Sequence, residues 1–188
     1  MPHLPYRDPD ELDATQRRRL IDPWQDRFGY VSLFRRVLLH DPETLASWDR
    51  YYRGVMTDSD VVSGRLKEIA FVVAAAVDEC PYCVANHGEW LVEEHGYPMD
   101  RFEALVAGEF ERLEDRERAV AAVAAQLARD PAGVTESHLQ ALRDVGFDDA
   151  AVVELFVAIC SLLSASALMQ GLAVDPGDAG RDLSRYDR

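Results

Sequence analysis

The sequence predicts an all-α protein of about eight or nine helices. Apolar residues recur at helical spacing along most of the 188 positions. Alanine is abundant, and the alternation that marks strands is scarce. Helix starts and stops recur, among them Asp41-Pro42-Glu43 and His95-Gly96 followed by Pro98. The length suggests one domain, and an apolar content of 48% marks a globular chain.

Residues 1–30 read as an N-terminal extension interrupted by Pro2, Pro5, Pro9 and Pro23, with a short helix from about Pro9 to Leu20. Trp24, Phe28 and Tyr30 predict that this arm docks on a surface. The main helical domain spans 31–174. Val31 to Leu39 has helical spacing, and Asp41 caps a helix running to about Met56. A Ser/Asp/Gly turn region leads to a helix over 65–77. A second helix follows the Cys80-Pro81-Tyr82-Cys83 pair and ends near Glu94. Further helices are predicted over 99–106, 113–128, 135–146 and 150–170. Residues 175–188, with Pro176, Gly177 and Gly180, read as a loose tail.

The net charge of -14 argues against nucleic acid or an anionic membrane as a partner, since both would repel the chain. The stretch MPHLPYRDPDELDATQRRR has no apolar centre, which predicts no signal peptide. Three cysteines, two of them in one Cys-x-x-Cys pair, suit a reducing compartment and predict a cytoplasmic location. Leu155 to Val174 holds twenty residues without a charge, long enough to span a bilayer. It lacks basic flanks and contains several serines, so it reads as a core helix or one buried at a subunit interface. Cys160, inside that run, reads as a buried inert thiol.

The chemistry concentrates between Glu68 and His87. In a helix after Cys80, the side chains of Cys80, Cys83 and His87 share one face, and Glu68 lies one turn into the preceding helix. Only a thiolate is nucleophilic, and an ordinary cysteine, with a pKa of about 8.5, is mostly protonated at neutral pH. Two arguments pick different sulfurs. Pro81 suits the first helical position, which makes Cys80 the cap residue and exposes its sulfur to the positive helix end. His87 lies one turn beyond Cys83 and can take its proton, with Glu68 orienting the imidazole. Either thiolate could attack an O–O bond, and the other would then close a disulfide. A zinc site would need a fourth ligand, from Glu68 or a distant residue, and a purely structural role for the pair is a further reading.

Glu68, Cys80-x-x-Cys83 and His87, at separations of twelve, three and four, resemble the active-site signature of AhpD-like alkylhydroperoxidases. These belong to the carboxymuconolactone decarboxylase superfamily, and the chain is most similar to its peroxidase-related branch. Leu33-Phe34-Arg35, His40-Asp41-Pro42-Glu43, Leu127-Ala128-Arg129-Asp130-Pro131 and Gly171-Leu172 agree, so the likeness covers roughly residues 30–175. The resemblance implies an all-helical homo-oligomer, often a trimer or hexamer. It implies reduction of a hydroperoxide without haem, flavin or metal, and recycling by a dithiol such as dihydrolipoamide on a partner protein. It implies that Cys83 attacks, Cys80 resolves, and Glu68 with His87 relays the proton. Tyr82 stands where the best-studied pattern has a histidine, which removes one relay group. Members that decarboxylate lactones lack the cysteine pair. The rival reading is a redox-responsive or structural oligomeric protein without peroxidase turnover.

Overall fold

The computed structural model describes residues 2–57, 59–179 and 182–186, and among these ten α-helices and no strands occur. The all-α expectation therefore holds. The helices are α1 (Ala14–Leu20), α2 (Asp22–Phe28), α3 (Leu33–Leu38), α4 (Pro42–Met56), α5 (Gly64–Val77) and α6 (Pro81–Glu89). They continue with α7 (Met99–Ala107), α8 (Asp115–Arg129), α9 (Glu136–Asp144) and α10 (Asp149–Gly171). A π-helical turn, Trp90–Glu94, extends α6 directly.

Helix α5 is the centre of the fold. Every residue from Leu66 to Ala75 is buried, as expected for a helix that is apolar all round. It packs against α8, α10, α6 and α7. Two charges lie within this buried stretch. Lys67 is fully buried, with its Nζ 2.6 Å from Glu154 and donating to the carbonyl of Thr57 at 2.5 Å. The other charge, Glu68, belongs to the site described below.

Local hydrogen bonding sets most boundaries. Asp41 accepts from the backbone N–H groups of Glu43 and Thr44, with Pro42 at the first helical position, so α4 begins where the sequence predicts. Asp148 caps α10 by accepting from Ala151. The helix expected from Pro9 to Leu20 divides into a 3₁₀ turn (Pro9–Glu11) and α1, because Asp13 accepts from Thr15 and Gln16 and starts a new helix. Helix α2 was read as interrupted chain. Pro23 instead sits in its first turn, where a missing N–H costs nothing, and Gly29 at φ 76° ends it.

The N-terminal arm docks on its own chain. Leu20 and Ile21 join Leu39 and Leu45 in a second small core, and the ring of Trp24 lies 5.6 Å from that of Trp90.

Two expectations are corrected. Cys160 is exposed, not buried. On the same outward face of α10, Val153 and Val157 are 62% and 41% exposed. A helix with apolar residues on all sides does not reveal in its sequence which side packs. Among the described residues α10 is the one helix long and apolar enough to cross a membrane, and here it packs on α5, α4, α8 and α6. The C-terminal segment is not loose over 182–186. Leu183 and Tyr186 are buried in the main core, and the Tyr186 hydroxyl donates to Glu93. Gly180 lies outside the described residues.

Candidate active site

The site is built at the junction of α5 and α6. Asp78 ends α5, and Glu79 takes the left-handed backbone conformation at φ 55°. Cys80 is then the cap residue of α6, with Pro81 at its first position. The Cys80 sulfur accepts from the backbone N–H of Cys83 at 3.3 Å. This tight link turns the chain back so that α6 packs on α5. Its consequence is contact between two residues far apart in sequence: His87 Nδ1 meets Glu68 Oε2 at 2.7 Å.

Both partners of that bond are buried, Glu68 at 2% and His87 at 9% exposure. With Glu68 ionised, Nδ1–H donates to the carboxylate, which leaves Nε2 as the basic nitrogen of the ring. The rings of Phe71 and Trp90 stand edge-on to the imidazole at 4.9 and 5.1 Å and hold its plane.

Cys83 and His87 line one narrow pocket of about 60 Å³, together with Trp24, Phe34, Tyr52 and Tyr82. Cys80 is not among the lining residues and is 1% exposed. The pocket shares Trp24, Arg35, Asp49, Tyr52 and Trp90 with a wider cleft of about 520 Å³, which Glu68 also lines. Of the two cysteines, Cys83 is the one in the pocket wall. Tyr82 lies between the cysteines, and its hydroxyl accepts from the backbone N–H of Phe34 at 3.3 Å. It packs as a pocket wall and ties α3 to α6.

The two thiols are unequal. The hydrogen bond from the Cys83 thiol, opposed by burial and helped by the Ser166 hydroxyl and the Cys83 backbone N–H, pulls Cys80 down to about 7. Donating that bond and being buried push the Cys83 thiol well up. Both sequence arguments thus have a physical counterpart. The cap position favours a thiolate at Cys80, while the sulfur that shares the pocket with His87 is that of Cys83.

Ser166 on α10 escaped the sequence reading. It is fully buried, donates to Asp78 Oδ2, and its hydroxyl lowers the pKa of both cysteine thiols. Gln170, one turn later, donates to the Asp78 carbonyl at 2.8 Å and to the Ser166 hydroxyl at 3.1 Å. The available signal was two polar side chains four apart inside an apolar run. The arm, expected to dock, also contributes to the pocket. Trp24 walls the pocket, and the Tyr30 hydroxyl accepts from Trp90 Nε1 at 2.9 Å. Arg35 and Asp49, 5% and 8% exposed, form a buried two-pronged ion pair in the pocket wall, with the Arg35 guanidinium 4.4 Å from the Trp24 ring centre. No cluster of three or more His, Cys, Asp or Glu side chains among the described residues is arranged to hold a metal ion.

Comparison with solved structures identifies the fold. A peroxidase-related protein from Ralstonia eutropha JMP134, described as an alkylhydroperoxidase AhpD core, superposes with a TM-score of 0.82 at 23% identity, covering 94% of this chain and 93% of that one. A peroxidase-related protein from Silicibacter sp. TM1040 matches with a TM-score of 0.82 at 24% identity, over 96% and 93%. The debrominase Bmp8 in complex with 2,3,4-tribromopyrrole matches at 0.75 and 15% identity, over 94% and 93%. The chain therefore has the AhpD-like fold along nearly its whole length. No protein-family model and no curated relative matches the sequence.

Proposed function

We propose that the protein is a cofactor-free thiol peroxidase that reduces organic hydroperoxides through the Cys80–Cys83 dithiol. One observation carries this reading: Cys83 and His87 share a pocket wall, and His87 is held by Glu68. His87 takes the Cys83 proton as the sulfur attacks the outer peroxide oxygen. The O–O bond breaks, the alcohol leaves with a proton, and Cys83 becomes a sulfenic acid. The Cys80 thiolate then attacks that sulfur, forming the disulfide and releasing water. One hydroperoxide and two thiols give one alcohol, one water and one disulfide. Its thiolate character suits Cys80 to this second step. An external dithiol, such as dihydrolipoamide on a partner protein, restores the pair by exchange.

The reading extends to a cytoplasmic homo-oligomer, a trimer or a hexamer. The exposed Val153 and Val157 on α10, with Tyr51 beside them, support an apolar contact between copies.

A second reading draws on the aromatic pocket wall and on the Bmp8 likeness. The same dithiol would reduce a halogenated aromatic ring, exchanging carbon–halogen for carbon–hydrogen and releasing hydrogen halide as the disulfide closes.

The test is mass analysis of the thiols before and after one equivalent of an organic hydroperoxide. A loss of two hydrogens at Cys80 and Cys83, reversed by dihydrolipoamide and repeated over many cycles, is the expected result. Cys83→Ser abolishes turnover, and Cys80→Ser stops at the sulfenic acid. Full activity in Cys83→Ser overturns the assignment. A single slow oxidation without cycling favours a redox-responsive protein. Release of halide from a bromopyrrole with peroxides left untouched favours the second reading.

A further inference from the structure

The wide cleft has a charge unlike the rest of the molecule. Four arginines, Arg19, Arg27, Arg35 and Arg53, line it against three carboxylates, Asp49, Glu68 and Glu94, whereas the chain as a whole carries -14. Most of these charges are matched. Arg35 is bound by Asp49 on two sides, Glu68 holds His87, and Arg19 pairs with exposed Glu43. Arg27 reaches Glu94 only at 3.8 Å, across exposed surface. Arg53 is exposed and pairs with no carboxylate among the described residues; its Nε donates to the Asp49 carbonyl at 3.4 Å. Among the described residues its two Nη groups are thus an unmatched cationic fork on the cleft wall.

Inward from that mouth the wall is aromatic and rich in donors. Tyr52, next to Arg53 on α4, lines both the cleft and the Cys83 pocket, as do Trp24 and Trp90. Trp24 Nε1, Arg35 Nε and the Tyr52 hydroxyl are buried polar atoms without a partner among the described residues. Burial keeps the Tyr52 hydroxyl protonated, so all three are donors.

We propose that the cleft binds an organic substrate with a carboxylate and an apolar body. The carboxylate meets Arg53 at the mouth, the body lies between Trp24, Tyr52 and Trp90, and the reducible group lies against Cys83. The assignment deepens the peroxidase reading and rests on Cys83 as the attacking sulfur.

All three tryptophans of the chain, Trp24, Trp48 and Trp90, line these two cavities, so intrinsic fluorescence reports occupancy without turnover. The probes are 4-isopropylbenzoate and 4-isopropylbenzamide, alike in shape and different in charge, titrated into the full chain. The benzoate binds about tenfold or more tightly than the amide, the advantage falling with added salt and vanishing in Arg53→Met. Arg53 is exposed, and methionine keeps an apolar stem, so this variant folds. Equal binding of the two probes, no binding by either, or an unchanged preference in Arg53→Met overturns the proposal. A parallel assay compares cumene hydroperoxide with its 4-carboxy derivative. If neither is reduced while the benzoate preference holds, the peroxidase reading fails and the carboxylate assignment stands. If both are reduced alike and the probes bind alike, the reverse is true.

Discussion

Glu68 and His87, nineteen residues apart in sequence, meet at 2.7 Å in a place where neither is more than 9% exposed. A carboxylate and an imidazole that are buried together fix each other's proton arrangement, because each would be costly to bury alone. The bond commits Nδ1 and leaves Nε2 to act as base. Glu68→Gln keeps the shape and removes the charge. Peroxide reduction should then fall about a hundredfold, at the low end of what a positioned general base contributes. Steady-state kcat/KM with excess dithiol measures this. An unchanged value would remove Glu68 and His87 from the mechanism.

The Cys80 thiol is pulled down to about 7, whereas Cys83 is pushed up. An acid with a lowered pKa loses its proton at lower pH, so one thiolate, at Cys80, grows in around neutrality. The ultraviolet absorbance of the thiolate in the reduced protein, with Cys80→Ser as the blank, gives the midpoint. Ser166→Ala removes a hydroxyl that lowers the Cys80 pKa and moves that midpoint upward. A midpoint at the ordinary cysteine value of about 8.5 in both proteins would refute the assignment.

The Arg35–Asp49 pair carries structural weight beside the pocket. Arg35 Nη1 donates to Asp49 at 2.6 Å, and Nη2 also donates to the carbonyl of Leu20 at 2.7 Å, which holds the arm in place. Asp49→Ala leaves a buried guanidinium without its counter-ion and should cost about 3–5 kcal/mol. Arg35→Met combined with Asp49→Leu should recover most of that loss. Urea unfolding measures both, and a double variant as weak as the single one would contradict the account.

Gly88 and Gly54 are both helical glycines with opposite expected responses to alanine. A Cβ at Gly88 would lie 2.6 Å from the fully buried ring of Phe102, which is packed beneath Tyr186. Gly88→Ala overpacks this contact and should destabilise by about 1–3 kcal/mol. A Cβ at Gly54 meets nothing within 4 Å. Gly54→Ala should stabilise α4 by up to about 1 kcal/mol through helix propensity. Thermal unfolding of the pair decides, and shifts of the same sign would be inconsistent with the packing described.

Helix starts and stops were legible in the sequence because caps are local. Asp41 and Pro42 act through hydrogen bonds and dihedral preferences spanning a few residues. The placement of Cys80 at the start of α6, and of Cys83 and His87 on one face, was legible for the same reason. Glu68 was legible as a candidate through its spacing from the cysteine pair, but its bond to His87 needed the turn at Glu79. Ser166 was hidden because a polar residue in an apolar helix gives no sign of which distant group it faces.

The sequence by itself determined an all-helical chain, the dithiol at a helix start, and the face on which His87 lies, since each follows from helical periodicity and local capping. Only the tertiary structure decided which thiol shares the pocket with His87, that Trp24 and Tyr52 wall it, that the segment 182–186 docks, and that Cys160 faces outward. These depend on packing between segments far apart in the chain. Where a helix such as α10 is apolar on every side, no periodicity remains to say which side its neighbours will cover.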